Sequence, residues 1–255
     1  MFCPLASGSK GNCLYVGSKQ TRILVDAGLP ATIIMNRLME IKIDPKTIQA
    51  ILITHEHSDH IKGLSLLVAK LNIPVLANAE TAKGIYAALG EKLRFKIFTT
   101  GETFQFGDLT VQPFSIPHDT LDPVAFTIQI GPIKLGICAD IGHITSLVRK
   151  HLEKCDYLYI EANHQPSMVH ASSRPQMLKQ RILGKQGHLS NEDCAALLTQ
   201  IHHPDLKHVY LAHLSGECNA AEVALQVVMD ALAAKHKSVK LSIAHQDKIS
   251  EAVLF

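Results

Sequence analysis

The segment Ile51-Leu52-Ile53-Thr54-His55-Glu56-His57-Ser58-Asp59-His60 sets three histidines and an aspartate within six residues, directly after an apolar run. Neutral imidazole is the commonest protein ligand for transition-metal ions. Mixed imidazole and carboxylate sets suit Zn²⁺, Mn²⁺ or Fe. His55 and His57 lie two apart on a turning segment and can face one ion; Asp59 and His60 follow the turn and can face a second. A solvated polar loop does not account well for so many ligand types bounded by core-type sequence. Glu56 is expected to support the ligands or face solvent.

To position such a loop the chain needs strands ending in it and helices behind it. Turn residues divide the sequence into short apolar runs and helical patterns. Residues 12–16 and 21–25 read as a hairpin around Gly17-Ser18, 30–39 as a helix, and 48–54 as a buried strand. A helix follows over 60–71, then strand 74–77, helix 79–89 and strand 95–98. Strands are expected at 103–106, 109–116, 124–130 and 133–137, with Gly107-Asp108 and Gly131-Pro132 as hairpin turns. The rest reads as helix 146–153, strand 157–160, helix 176–182, helix 191–201 capped by Ser190, strand 208–211, helix 220–234 and strand 239–244. This pattern predicts an α/β fold of two helix-covered sheets in one domain, 1–255. Residues 162–175, rich in Asn, Pro, Ser and His, are expected to form an ordered loop near a site.

With 255 residues, 47% hydrophobic and 19% charged, the chain can bury a large core and is not disordered. Its formal charge of +2 advertises no strong field for nucleic acid or membrane. The six scattered cysteines form no C-x-x-C pair and read as buried apolar fillers. Neither a signal peptide nor a membrane span is visible, so a soluble cytoplasmic protein with no membrane partner is expected. Fifteen histidines are an unusual number.

The H-x-H-x-D-H pattern of His55–His60 resembles the hallmark of the metallo-β-lactamase superfamily. Ser7-Gly8-Ser9-Lys10-Gly11-Asn12, Asp26 before Gly28, Gly187-His188-Leu189-Ser190-Asn191 and Ala212-His213-Leu214-Ser215 resemble its WalJ/YycJ-like group of bacterial DNA exonucleases. The resemblance covers essentially the whole chain and implies a four-layer αββα sandwich. It also implies two divalent metal ions, Zn²⁺ or Mn²⁺ with Fe as a further candidate. His55, His57 and His118 would bind the first, Asp59, His60 and His213 the second, and Asp140 would bridge them. Each of His118, Asp140 and His213 also ends an expected strand. Asp26 would buttress the ligand loop. Glu161 and His188 resemble residues that assist proton transfer in tRNA-processing relatives, and His164 lies near enough in sequence to reach the cleft.

The implied activity is that of a phosphodiesterase or nuclease acting on DNA or RNA. A metal-bridging hydroxide would attack phosphorus, Asp59 would serve as a catalytic ligand, and His188 with Glu161 would protonate the leaving oxygen. Hydrolysis of a small phosphodiester, lactone or thioester is the alternative, as is a non-catalytic, metal-bound scaffold for nucleic acid. Arg174, Lys179, Arg181 and Lys185 suit either phosphate contact or a solvated helix face. The chain departs from the group's pattern at Cys13, Ala125 and Gly216–Cys218; none of these is a proposed ligand.

Overall fold

The computed structural model describes residues Met1–Phe255, which divide into two compact units. The first comprises Met1–Pro113, Thr120–Val124 and His245–Phe255, and the second Phe114–Asp119 and Ala125–Ala244.

The first unit holds a six-stranded sheet ordered β1 (Phe2–Ala6), β2 (Cys13–Gly17), β3 (Arg22–Val25), β4 (Ala50–Leu52), β5 (Val75–Ala77), β6 (Phe95–Ile97). Strands β1 to β3 pair antiparallel; β3 to β6 are parallel. Helices α1 (Ala31–Glu40), α3 (Leu64–Leu71) and α4 (Ala79–Leu89) cover one face of this sheet. Their Ile34, Leu38, Leu64, Leu67 and Ile85 pack with Leu24, Ile51 and Val75. Alternate strand residues Val16, Ile23, Val25 and Leu52 are buried as well. Both faces are therefore apolar, which explains why β4 reads as an unbroken hydrophobic run. A hairpin of β7 (Phe104–Phe106) and β8 (Leu109–Ser115) completes this unit, with β8 running on into the second.

In the second unit β9 (Val124–Ile130) pairs antiparallel with β10 (Ile133–Cys138). Three parallel partners follow: β11 (Tyr157–Glu161), β12 (His208–Ala212) and β13 (Lys240–Ile243). Helices α5 (Ser146–Leu152), α8 (Asn191–Ile201) and α9 (Ala221–Ala233) supply Val148, Leu152, Leu197, Leu198, Val228 and Leu232 to a core with Leu158, Ile160, Val209 and Leu211. Ser190 caps α8, its hydroxyl accepting from the Asp193 N–H.

Three elements differ from the sequence expectation. Strand β1 was not anticipated because Pro4 interrupts it; the position is tolerated because β1 is an edge strand with a register shift beside the proline. The helix expected at 60–71 is two pieces, α2 (Ser58–Ile61) and α3, separated where the Gly63 N–H donates to Ala27 O at 2.8 Å. The loop expected at 162–175 holds a short helix, α6 (Pro166–Ala171), followed by α7 (Gln176–Leu183). No helix is long and apolar enough to cross a membrane. All six cysteines are buried and free, and burial pushes the thiols of Cys3 and Cys155 up to about 12.

The segment after β3 is stitched to the histidine loop through its backbone. Asn12 N donates to Asp59 O (2.8 Å), Gly28 N to Asn12 O (2.8 Å) and Ala27 N to His60 O (2.7 Å). A Cβ at Gly28 would overlap the Asp59 carbonyl. Gly28→Ala is therefore expected to destabilise the fold by about 3 kcal/mol, as overpacking against fixed backbone does. Chemical unfolding followed by circular dichroism checks this.

Candidate metal centre

In open α/β sheets the carboxyl ends of parallel strands are where functional loops gather. In the first unit, Asp26 follows β3 and Thr54–His60 follow β4, side by side because those strands are neighbours. Asp26 is 4% exposed and takes φ 62°, a conformation costly for a non-glycine residue. Its Oδ1 accepts from the Thr54 N–H (2.9 Å), and its Oδ2 lies 2.8 Å from His60 Nδ1 and 3.0 Å from the Thr54 hydroxyl.

These contacts assign the histidine tautomers. A carboxylate only accepts, so His60 carries its proton on Nδ1 and presents a lone pair at Nε2. Asn12 agrees: its Oδ1 is taken by the Gly8 N–H (2.8 Å), so its Nδ2 is the group 3.0 Å from His60 Nε2, and it donates there. Asp59 Oδ2 stands 3.6 Å from the same Nε2. The Thr54 hydroxyl, donating to Asp26, accepts from His55 Nδ1 at 3.0 Å, which leaves a lone pair on His55 Nε2. That atom faces His57 Nδ1 at 3.2 Å. Two ligands of one tetrahedral Zn²⁺, each ~2.0–2.1 Å from it, stand about 3.3 Å apart, so this pair fits a metal ion.

In the second unit β10, β11 and β12 end in register, with Cys138 opposite Ile160 and Glu161 opposite Ala212. Asp140, Glu161 and His213 are therefore neighbours, and with His188 they form a group whose ligand atoms all lie within 4.8 Å of one another. Asp140 (φ 55°) and His213 (φ 53°) both occupy the left-handed region. Glu161 is fully buried. Its Oε1 accepts from His188 Nδ1 (2.9 Å) and His213 Nδ1 (2.8 Å), and its Oε2 from the backbone N–H of Ile141 (2.8 Å) and Leu189 (3.1 Å). Burial alone would raise this carboxyl, but the two histidines hold it down at about 2. Burial pulls His188 down, yet Glu161 outweighs it and raises the imidazolium above its ordinary value. His118 Nδ1 donates to Gly187 O (3.2 Å), directing Nε2 toward Asp140 Oδ1 at 3.9 Å. Burial, ahead of the opposing pull of Asp140, favours neutral His118, the form that can act as a ligand.

The four candidate residues of the histidine motif, His55, His57, Asp59 and His60, are thus brought together in the first unit, and His118, Asp140, Glu161, His188 and His213 in the second. Asn12 and Asn163 were not singled out as site residues. Asn163 Nδ2 donates to His213 O at 2.7 Å and holds that left-handed turn; its place two residues after Glu161 was the available signal. His164 is 2% exposed, and its Nδ1 has no hydrogen-bond partner. The basic stretch is largely engaged: Arg174 pairs with Glu217 (2.9 Å), Arg181 with Asp119 (2.6 Å), and Lys179 Nζ donates to His170 O (2.7 Å). His143, His202 and His203 are satisfied by backbone carbonyls, as expected of histidines without ligand spacing.

The chain matches the family model of the β-lactamase superfamily domain over residues 21–214. It is 35% identical over 237 residues to the exodeoxyribonuclease YycJ of Bacillus anthracis, a match covering 92% of this chain and 89% of that protein. It is 36% identical over 233 residues to the exodeoxyribonuclease WalJ of Streptococcus pneumoniae, covering 90% and 87%. Among solved structures it is similar to Zn²⁺-bound PqqB from Methylobacterium extorquens, with a TM-score of 0.72, 16% identity and coverage of 98% and 99%. This last likeness is one of fold, and it bears out the α/β architecture of helix-covered sheets.

Two outcomes follow from the buried carboxylates. Asp26→Ala frees His60 and Thr54 and is expected to weaken Zn²⁺ binding about 10–100-fold, read by competition with a chromogenic chelator. In the metal-free protein, Glu161 contributes stability that is complete above its unfolded value near 4.5 and is lost as pH falls toward about 2. His188, raised, contributes stability present below its ordinary 6.5 and lost as pH rises past its folded value. Glu161→Gln should flatten the acid limb of a plot of Tm against pH.

Proposed function

The chain belongs to the β-lactamase superfamily, and from that premise we propose that it is a binuclear metal-dependent phosphodiesterase, a DNA exonuclease acting in the cytoplasm. What supports the proposal is that each unit holds an imidazole whose lone pair is directed by a buried carboxylate, His60 by Asp26 and His213 by Glu161, in a chain about one-third identical to named exodeoxyribonucleases. The family model takes in parts of both units, which supports treating 1–255 as one functional domain.

In this assignment His55, His57 and His118 would hold one divalent ion and Asp59, His60 and His213 the second, with Asp140 available to both. Bound Zn²⁺ or Mn²⁺ would lower the pKa of water and neutralise charge on the phosphoryl oxygens. The other steps fall to the chain. Asn12 steadies Asp59, its Nδ2 lying 3.3 Å from Oδ2. Asp26 and Glu161 keep the ring protons on Nδ1 of His60 and His213. His188, kept protonated through its Nδ1 contact with Glu161, would offer its Nε2 proton to the leaving oxygen. Glu161, with both oxygens occupied, works through His188 rather than on substrate.

The test pairs wild type with Asp59→Ala. Bound metal is measured by elemental analysis, and cleavage is followed on end-labelled double-stranded DNA, single-stranded DNA and RNA with Mn²⁺. Wild type is expected to hold about two ions and to shorten DNA from an end, with the variant at least ~100-fold slower. A fully loaded wild type that cuts none of these polymers would overturn the proposal in favour of a small ester or phosphodiester, or of a scaffold.

A further inference from the structure

The stretch from Arg174 to Lys185 carries Arg174, Lys179, Arg181 and Lys185 and no acidic residue. It spans α7, and its C-terminal end is docked against the donor set of the second unit. Ile182 O accepts from the His188 N–H at 3.1 Å, and a Cβ at Gly187 would overlap the carbonyls of Arg181 and Ile182. Gly187 O in turn accepts from His118 Nδ1. Two residues beyond Asp140, a Cβ at Gly142 would overlap the Lys185 carbonyl, which accepts from His143 Nδ1 at 3.0 Å. These close backbone contacts give the cationic stretch a fixed place beside His118, Asp140 and His188.

Arg181 is the member of this stretch whose side chain is tied to a candidate ligand. Its Nε donates to Asp119 Oδ2 at 2.6 Å, and Asp119 Oδ1 stands 3.5 Å from His118 Nε2. One carboxylate thus separates the guanidinium from the nitrogen that would face a metal ion. The Arg181 side chain is 57% exposed, and an ion pair this open to water contributes little to stability. Its effect is on direction. With Nε held by Asp119, the planar fork is fixed in orientation, and its terminal N–H groups remain for another acceptor.

We propose that Arg181 binds the phosphodiester next to the scissile one, on the polymer side, and so sets the end of a DNA strand in register with the candidate centre. The inference rests on the nuclease assignment above. In that assignment the scissile phosphate belongs beside the His118 nitrogen, and a cation one carboxylate farther out meets the adjacent phosphate. A bond at the end of a strand has a single internal phosphodiester neighbour, which defines the contact. Guanidinium matches the two free oxygens of a phosphodiester with paired N–H groups, a geometry that an ammonium does not offer. Backbone contacts of this kind fix register without reading sequence. Lys179 and Lys185 on the same stretch add positive charge around it. Arg181 is thus a substrate-binding residue, and Asp119 is the positioning residue that aims it.

The experiment follows release of the first nucleotide from end-labelled DNA duplexes that carry either a phosphate or an uncharged methylphosphonate at the second linkage from each end. Wild type, Arg181→Ala and Arg181→Lys are each loaded with Mn²⁺. Wild type should show kcat/KM about tenfold higher on the all-phosphate duplex, the size of one hydrogen bond to a charged group. In Arg181→Ala that ratio should collapse toward one through loss on the all-phosphate duplex. Arg181→Lys should restore part of it, since it returns the charge without the paired geometry. The ratio is taken within one enzyme, so a partly misfolded preparation leaves it unchanged. A wild-type ratio near one, or an Arg181→Ala ratio as large as that of wild type, overturns the role of Arg181 while leaving the nuclease assignment standing. A metal-loaded wild type that releases no nucleotide from either duplex overturns both.

Discussion

Asp26 and Glu161 are carboxylates withdrawn from water, one 4% and the other 0% exposed. A buried carboxylate persists as an anion only when hydrogen-bond donors surround it. Here those donors are backbone N–H groups on one side and histidine Nδ1 protons on the other. The arrangement works in both directions. The donors keep the carboxylates charged, and the carboxylates keep the protons on Nδ1, so that the imidazole lone pairs are aimed before any ion arrives. Removing either carboxylate would leave rings free to rotate and to exchange tautomers.

That constraint explains the strained backbone. Asp26, Asp140 and His213 each take a positive φ at the carboxyl end of a parallel strand. The turn is costly for a side chain with a Cβ, and it persists where surrounding bonds over-determine it. Asp26 N donates to Leu52 O and Asn163 Nδ2 donates to His213 O, so these turns are held from the neighbouring element. The polar residues immediately past the core strands are thereby brought back over the strand ends.

Much of this was legible in the amino-acid order. Nearly continuous apolar runs such as Ile51–Ile53 marked buried strands, and the dense His/Asp motif after one of them marked the candidate ligand loop. What escaped were features whose cause is non-local. Strand β1 holds a proline that only an edge position admits. The break between α2 and α3 follows from a hydrogen bond to Ala27, far back in sequence. Asn12 and Asn163 act on His60 and His213, 48 and 50 residues away, a pairing that only the fold creates.

The sequence by itself determined the α/β class, the placement of most strands and helices, and the chemical character of the candidate centre. Hydrophobic periodicity and ligand type are local properties and can be read residue by residue. Only the tertiary structure decided which ring nitrogens of His55, His60, His118 and His213 bear their protons and that Glu161 is spent on two histidines and two backbone amides. Those properties belong to hydrogen bonds between segments distant in sequence, and the in-register ends of neighbouring parallel strands bring those segments together.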